Sequence, residues 1–299
     1  MNILIFGRNG QVGWELQRSL APLGTVIALD RSSSPNGDLS QPEALAATIR
    51  SLAPDVIVNA AAYTAVDRAE IQQELARTVN ALAPAAMAQT ALSLGALLVH
   101  YSTDYVFDGS GTIPWQENSP TAPLNVYGKT KLEGENYIRA SGCRHLILRT
   151  SWVYACRGNN FLKTILHLAQ ERDSLNVVED QFGTPTGAEL IADVTAHAIR
   201  AAIHNDVSGT YHLAATGETN WHQYARHILD CARAAGLPLK VHSGAVLPVP
   251  STSYPTPAPR PRNSRLDTSS LQTTFGLTLP DWKTGVTRTL SEFLDKQTK

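Results

Sequence analysis

Tyr127 and Lys131 stand four residues apart in a stretch, Val126-Tyr-Gly-Lys-Thr-Lys-Leu-Glu-Gly-Glu-Asn-Tyr137, that reads as helix, so their side chains share one face. An ammonium beside a phenol favours phenolate, which predicts a tyrosine drawn below the usual value of about 10 and able to exchange a proton near neutrality. Lys129 points elsewhere on the same helix. A hydroxyl from Ser102 or Thr103, at the end of the run Ala96-Leu-Leu-Val-His-Tyr101, can reach the same carbonyl oxygen. With a nicotinamide nearby, such groups make a carbonyl reductase: hydride arrives at carbon while Tyr127 protonates oxygen.

A place for that nicotinamide is written at the start of the chain. Asn2 to Phe6 is a short apolar run that stops at Gly7-Arg-Asn-Gly10-Gln-Val-Gly13 and gives way to the helical spacing of Trp14, Leu16 and Leu20. Strand, glycine loop, helix is the order of a dinucleotide site. Gly7 allows the turn off the strand, Gly10 the approach of a pyrophosphate, and Gly13 close packing of helix on sheet. The free N–H groups of the helix end then face the anion. A second strand, Val26 to Leu29, ends at Asp30-Arg31. The acid suits an adenosine ribose and so NADH, whereas Arg31 could neutralise the extra phosphate of NADPH; the pair accommodates either. After the strand Asp55 to Asn59, the small residues Ala60, Ala61 and Ala62 would let a flat cofactor lie on the backbone.

Helical patterns at Pro42–Leu52 and 69–95, the latter with an irregularity near Pro84, alternate with these strands and with His145–Arg149. The expectation is an α/β fold, a Rossmann-like doubly wound parallel sheet, over residues 1–150. The loop from Phe107 to Asn125, with its glycines and prolines, should cover part of the site. Beyond residue 150 the texture changes. Helices near 160–171, 188–204, 221–235, 268–275 and 284–294, with short strands at Leu175–Val178 and Thr210–Leu213, suggest that 151–299 is mainly a smaller α/β substrate-binding cap, some segments returning to the sheet. Pro248 to Pro261 is too dense in proline for a regular interior element.

Composition narrows the partners. The 299 residues carry a net charge of −1, which argues against nucleic acid and against an anionic membrane surface. Three cysteines, Cys143, Cys156 and Cys231, have neither disulfide-framework nor zinc-ligand spacing, and fit a reduced cytoplasmic compartment. No basic leader precedes the first strand, and no apolar run approaches the roughly 18 residues of a membrane span.

The glycine loop, Ser102-Thr-Asp-Tyr-Val-Phe107 and Tyr127-Gly-Lys-Thr-Lys131 resemble the extended short-chain dehydrogenase/reductases. Ser151-Trp-Val-Tyr154, Gln181-Phe-Gly-Thr-Pro-Thr-Gly187 and Arg260-Pro-Arg-Asn-Ser-Arg-Leu-Asp267 narrow the resemblance to the dTDP-4-dehydrorhamnose reductase family, nearly from end to end. That resemblance implies reduction of the C4 carbonyl of a dTDP-4-dehydro sugar by NADPH or NADH. It implies Thr103, rather than Ser102, with Tyr127 and Lys131 as the catalytic set. It places Gly10, Gln11, Val12, Asp30, Asp38, Leu39, Ala62, Tyr63 and Thr64 at the cofactor, and Thr103, Asp104 and Trp152 at the sugar. Tyr63 departs from the small or imidazole side chain expected beside the nicotinamide ribose. Arg260, Arg262 and Arg265 offer cations of the kind a nucleotide diphosphate needs. Some family members hold magnesium at a dimer contact through glutamates that fall on Glu15, Glu189 and Glu292, so a homodimer and Mg2+ are further implications.

Two neighbouring activities are weighed against this. Nucleotide-sugar dehydratases carry Asp-Glu after the threonine, whereas here Asp104 is followed by Tyr105, which disfavours elimination. A sugar-nucleotide epimerase would keep its cofactor bound without net oxidation. A rival of another class is a cofactor-binding regulatory subunit, since a non-catalytic partner of methionine adenosyltransferase resembles the same family.

Overall fold

The computed structural model describes residues 1–205 and 207–297. Its first half alternates strand and helix: β1 (Asn2–Phe6), α1 (Gln11–Leu20), β2 (Thr25–Leu29), α2 (Pro42–Leu52), β3 (Val56–Asn59), α3 (Val66–Ala69), α4 (Gln73–Arg77), α5 (Ala83–Leu94), β4 (Leu97–Thr103), α6 (Val126–Ser141) and β5 (His145–Thr150). The strands are short runs of branched apolar residues buried on both faces, the pattern that a parallel sheet covered by helices demands. The irregularity in the 69–95 pattern is resolved as a π-helical segment over residues 78–82, immediately before α5 and Pro84.

The second half runs β6 (Val153–Tyr154), α7 (Phe161–Glu171), β7 (Leu175–Val178), β8 (Phe182–Gly183), β9 (Thr186–Gly187), α8 (Ala188–Asn205), β10 (Gly209–His212), β11 (Thr219–Asn220), α9 (Trp221–Ala234), β12 (Val246–Val249), α10 (Ser269–Phe275) and α11 (Trp282–Gln297). A short strand forms even at the start of the proline-dense stretch, outside the main sheet. Pro248 lies inside β12, which pairs with β7 in a two-stranded ribbon. Leu247 and Pro248 are exposed, and an edge strand facing solvent tolerates the missing N–H that a central strand would not.

Six parallel strands form the main sheet in the order β10-β5-β4-β3-β1-β2. From β1 the chain steps outward to β2 and then back across to β3, so the direction of winding reverses between β1 and β3. Beyond the carboxyl ends at such a reversal, the connections diverge and leave a crevice. One apolar cluster, with Ile3, Ile5, Val99 and Leu148, packs against α1 and α8; another, with Leu4, Ile57, Leu98 and Met87, packs against α2 and α5. A third core, including Tyr154, Leu162, Ile165, Tyr224, Trp282 and Val286, is built from later segments. Meanwhile β10 and α8 return to the main sheet and to α1. Among the described residues no helix is long and apolar enough to cross a membrane.

Candidate active site

A cleft of about 1090 Å³ opens over the carboxyl ends of β1, β2, β3 and β4. Its walls include Gly7, Gly10, Gln11, Val12, Asp30, Arg31, Asp38, Leu39, Ala61, Ala62, Tyr63 and Thr64 at the expected cofactor positions, and Tyr127 and Lys131 at the reacting end. Gly7 adopts φ +90, and a Cβ there would meet Ala61 N at 2.8 Å, so the turn and the close passage of the β3 end both require glycine. Gly13 is buried beneath the loop and supports rather than lines it. The cradle, the free amides at the start of α1 and the cleft together fit a dinucleotide.

Asp30 differs from the simple ribose acceptor expected of it. The Ser32 hydroxyl and N–H, then Arg8 and Ser33, all bond it and hold its carboxyl well below the usual range. Asn9 bonds it as well. Arg8 and Asn9 thus tie the glycine loop to the end of β2. They were missed in the sequence because they sit between the glycines as ordinary loop residues. Tyr63 lines the cleft with its hydroxyl on Gln72 at 2.6 Å, while its backbone exchanges hydrogen bonds with Asn80.

α6 is fixed at its start from three directions. Asn125 caps it by accepting from Gly128 N–H and also donates to Pro259 O, and Glu70 accepts from Val126 N–H. Gly128 lets the helix touch the turn after β4, since a Cβ there would lie 2.2 Å from Tyr105 O. The result is that Tyr127, Thr103 and Asp104 meet at one place. The Tyr105 ring packs edge-on against Tyr127, with centroids 5.6 Å apart. Thr103 Oγ1 donates to Asp104 Oδ1 at 3.0 Å and accepts from Tyr105 N–H. Ser102 also lines the cleft, and its hydroxyl lies towards the buried Glu135.

The expectation that Lys131 draws the phenol downward is overturned. Burial pushes Tyr127 up to about 12, opposed by the Thr103 hydroxyl and reinforced by Asp104. Lys131 spends its donors elsewhere, on Tyr101 O at 2.6 Å and against His100 Nε2 at 3.1 Å. Burial brings Lys131 itself down to about 8, although Glu135 one turn along favours its charge. Glu135 is fully buried and bidentate to Arg149, with bonds of 2.9 and 2.7 Å. The phenol is therefore a proton donor in this state, the form that carbonyl reduction consumes. Asp104, also buried, is pushed up to about 7 by desolvation, opposed by the Ser264 and Thr103 hydroxyls.

Other expected residues lie outside the wall of this cleft. Trp152 adopts φ +48, stacks on Trp221 at 3.6 Å and covers Gly183; it is not part of the cleft wall. Arg260 pairs with Asp67 at 2.7 Å, leaving one buried nitrogen without a partner, and Arg265 pairs with Glu218 at 2.7 Å. Glu15, Glu189 and Glu292 share a field that helps raise Glu189, but burial is the main cause. Arg18 and Arg288 approach Glu15 and Glu189 at 3.5 and 3.7 Å. Among the described residues no three acidic, His or Cys side chains are grouped to hold a metal ion.

The comparisons agree with the geometry. The family model described as RmlD substrate binding domain matches residues 1–295. A dTDP-4-dehydrorhamnose reductase from Escherichia coli (strain K12) is 58% identical over 294 residues, with 98% of each chain covered. Among solved structures, a dTDP-4-dehydrorhamnose reductase from Clostridium acetobutylicum is 37% identical with TM-score 0.86, covering 100% of both chains. One from Bacillus anthracis str. Ames, in complex with NADP, is 34% identical with TM-score 0.86, covering 97% of this chain and 99% of that one. The chain belongs to the RmlD substrate binding domain family.

Proposed function

We propose that this chain reduces the C4 carbonyl of dTDP-4-dehydro-L-rhamnose to dTDP-L-rhamnose with NADPH or NADH. The observation that carries the reading is one continuous cleft with a glycine cradle and Asp30 at one end and Tyr127 with Lys131 at the other. When bound, the reduced nicotinamide supplies a hydride to the carbonyl carbon. Tyr127, kept protonated by burial, gives its proton to the carbonyl oxygen. Thr103 turns its hydroxyl toward the same oxygen, and Lys131 offers positive charge as the phenolate forms. Asp104 holds a sugar hydroxyl, while Arg260, on the far side of α6's N-terminus, meets the diphosphate with its unpartnered nitrogen.

Residues 1–150 serve as the dinucleotide-binding part and 151–299 mainly as the cap, with Trp152 shaping the sugar end from behind. A homodimer in the cytoplasm completes this reading. Magnesium would need a second copy of the chain to complete its ligand set, and no step depends on it. The test is to mix purified protein with the 4-keto sugar nucleotide and either reduced cofactor and to follow nicotinamide absorbance. Consumption of cofactor in proportion to product is expected. Product without net consumption would instead indicate an epimerase, and cofactor binding without any turnover a regulatory subunit.

A further inference from the structure

Asn59 and His100 are polar residues facing each other in register on β3 and β4, towards the carboxyl ends of two strands whose preceding residues are apolar. Both are about 1% exposed. An unpaired amide or imidazole there would be costly, and neither is unpaired. Ala61 N–H donates to Asn59 Oδ1 at 3.2 Å, Asn59 Nδ2 lies 3.0 Å from His100 Nδ1, and His100 Nε2 lies 3.1 Å from Lys131 Nζ. The line thus runs from the wall of the cofactor cleft, at Ala61, to the lysine of the reacting end.

Its polarity is set at the Ala61 end. Because Oδ1 is used by the Ala61 N–H, Asn59 presents an N–H to Nδ1, which must accept. A neutral imidazole has one donor and one acceptor, so its proton then sits on Nε2 and points at Lys131. An ammonium has no lone pair to receive it; a neutral amine does, while still donating to Tyr101 O. If Lys131 is instead charged, Nε2 must accept, the ring proton moves to Nδ1, and the Asn59 amide must turn its oxygen to it. Ala61 N–H then loses its partner.

We propose that His100 is a positioning residue whose tautomer is coupled to the charge of Lys131 and, through Asn59, to the Ala61 amide in the cofactor wall. The net change between the two states is one proton taken up at Lys131, with His100 neutral in both. Burial and the neighbouring lysine hold His100 well below its ordinary value, in keeping with a ring that stays uncharged. The ionisable surroundings of Lys131 are Glu135 further along α6, held by Arg149 of β5 and by Arg139; Tyr127 one turn back; and Asp104 beyond the phenol. A cofactor that orders the Ala61 amide would in this way bias the lysine before substrate arrives.

The inference takes Lys131 to lie at the reacting end of the cleft, but its test needs no turnover. Full-length protein labelled with 15N-histidine is titrated from about pH 6 to about pH 10, a range that brackets a buried lysine. The chain has nine histidines, and the His100 signals are assigned by their loss in His100→Gln, or by selective change in Asn59→Asp should that variant not fold. The expected result is that the protonated and unprotonated shifts exchange between Nδ1 and Nε2 as Lys131 titrates, the ring never becoming imidazolium. Asn59→Asp accepts from both Ala61 and Nδ1–H, so it should hold the Nδ1–H tautomer throughout. It should also move the Lys131 midpoint up by about one unit, a tenfold gain in proton affinity. One tautomer across the range in the unaltered protein, an imidazolium, or an unmoved midpoint in Asn59→Asp would each overturn the coupling, whatever the outcome of the reductase assay.

Discussion

Two glycines of the first loop do different physical jobs, and alanine separates them. A Cβ on Gly13 would stand 2.1 Å from Gly7 O and 2.7 Å from Gly7 C, against the 3.4 Å at which ordinary contact begins. Both obstacles are backbone, so α1 and the loop must part by more than an ångström. Overpacking of this kind costs about 1–3 kcal/mol, here at the upper end because no rotamer change relieves it. Alanine regains up to about 1 kcal/mol of helix propensity. A net loss of about 2 kcal/mol lowers Tm by roughly 4–8 °C in a domain of this size. Gly10 has ordinary dihedrals, φ −71 and ψ 167, and a Cβ there meets only Gly7 O, at 3.3 Å. Gly10→Ala should therefore leave Tm within about 3 °C, the loss being that of a weaker N-cap. Its methyl instead stands where a pyrophosphate must approach the amides of α1. Losing one charge-assisted hydrogen bond, about 1.5–3 kcal/mol, weakens the Kd for reduced cofactor at least about tenfold. Differential scanning fluorimetry and a fluorescence titration with NADPH read the two effects separately. If Gly13→Ala melts with the unaltered protein and Gly10→Ala binds NADPH as tightly, the loop is not the anion cradle described here.

Tyr127→Phe should lower kcat by about 10²–10⁴ while the Kd for NADPH changes less than about threefold; full turnover in a stopped-flow assay would remove the phenol from the reaction. Glu135→Gln strips a buried partner from Arg149 and should destabilise the protein by about 3–5 kcal/mol in urea unfolding, whereas a loss under about 1 kcal/mol would mean that Arg149 is otherwise satisfied. Asp104 is pushed up to about 7 from 3.8, so the folded state holds its proton more tightly than the unfolded one. Its contribution to stability is then fully present below about pH 4 and lost by about pH 7, and the stability advantage of Asp104→Asn should grow across that window. An advantage flat with pH would show that Asp104 is not the buried acid doing this.

Much of the site was legible because its parts are local. The glycine loop announces itself by residue type, and polar residues at the end of an apolar run mark the carboxyl edge of a parallel strand without any knowledge of which strands are neighbours. What needed the third dimension was pairing. Asn59 and His100 look like isolated interruptions in separate runs until the β3–β4 register sets them side by side. The direction of the Tyr127 shift was misjudged for a related reason. Spacing put an ammonium on the phenol's face of α6, but spacing does not show that Tyr101 O and His100 already hold that ammonium while burial raises the phenol. The stack of Trp152 on Trp221 likewise joins residues far apart in the chain, with Trp152 in a left-handed backbone conformation that its position after a strand does not reveal. Pro248 stands in an exposed ribbon rather than an interior strand, and only the β12–β7 register shows which segment pairs with it.

The preference for reduction over elimination has its own structural basis in the turn after β4. Eliminating water asks for an acid and a base beside the tyrosine, two groups that can change charge during the reaction. The turn after Thr103 contains one such group, Asp104. The next position, where a second carboxylate would stand, holds Tyr105, whose buried phenol is pushed above its ordinary value and whose ring walls Tyr127 edge-on. A carboxylate at 105 would lose that packing and place a second acid beside one already held up by desolvation, so at least one of the pair would stay protonated. The same packing that brings Tyr127 to Thr103 thus excludes the second charge, and leaves a site equipped to hand over one proton.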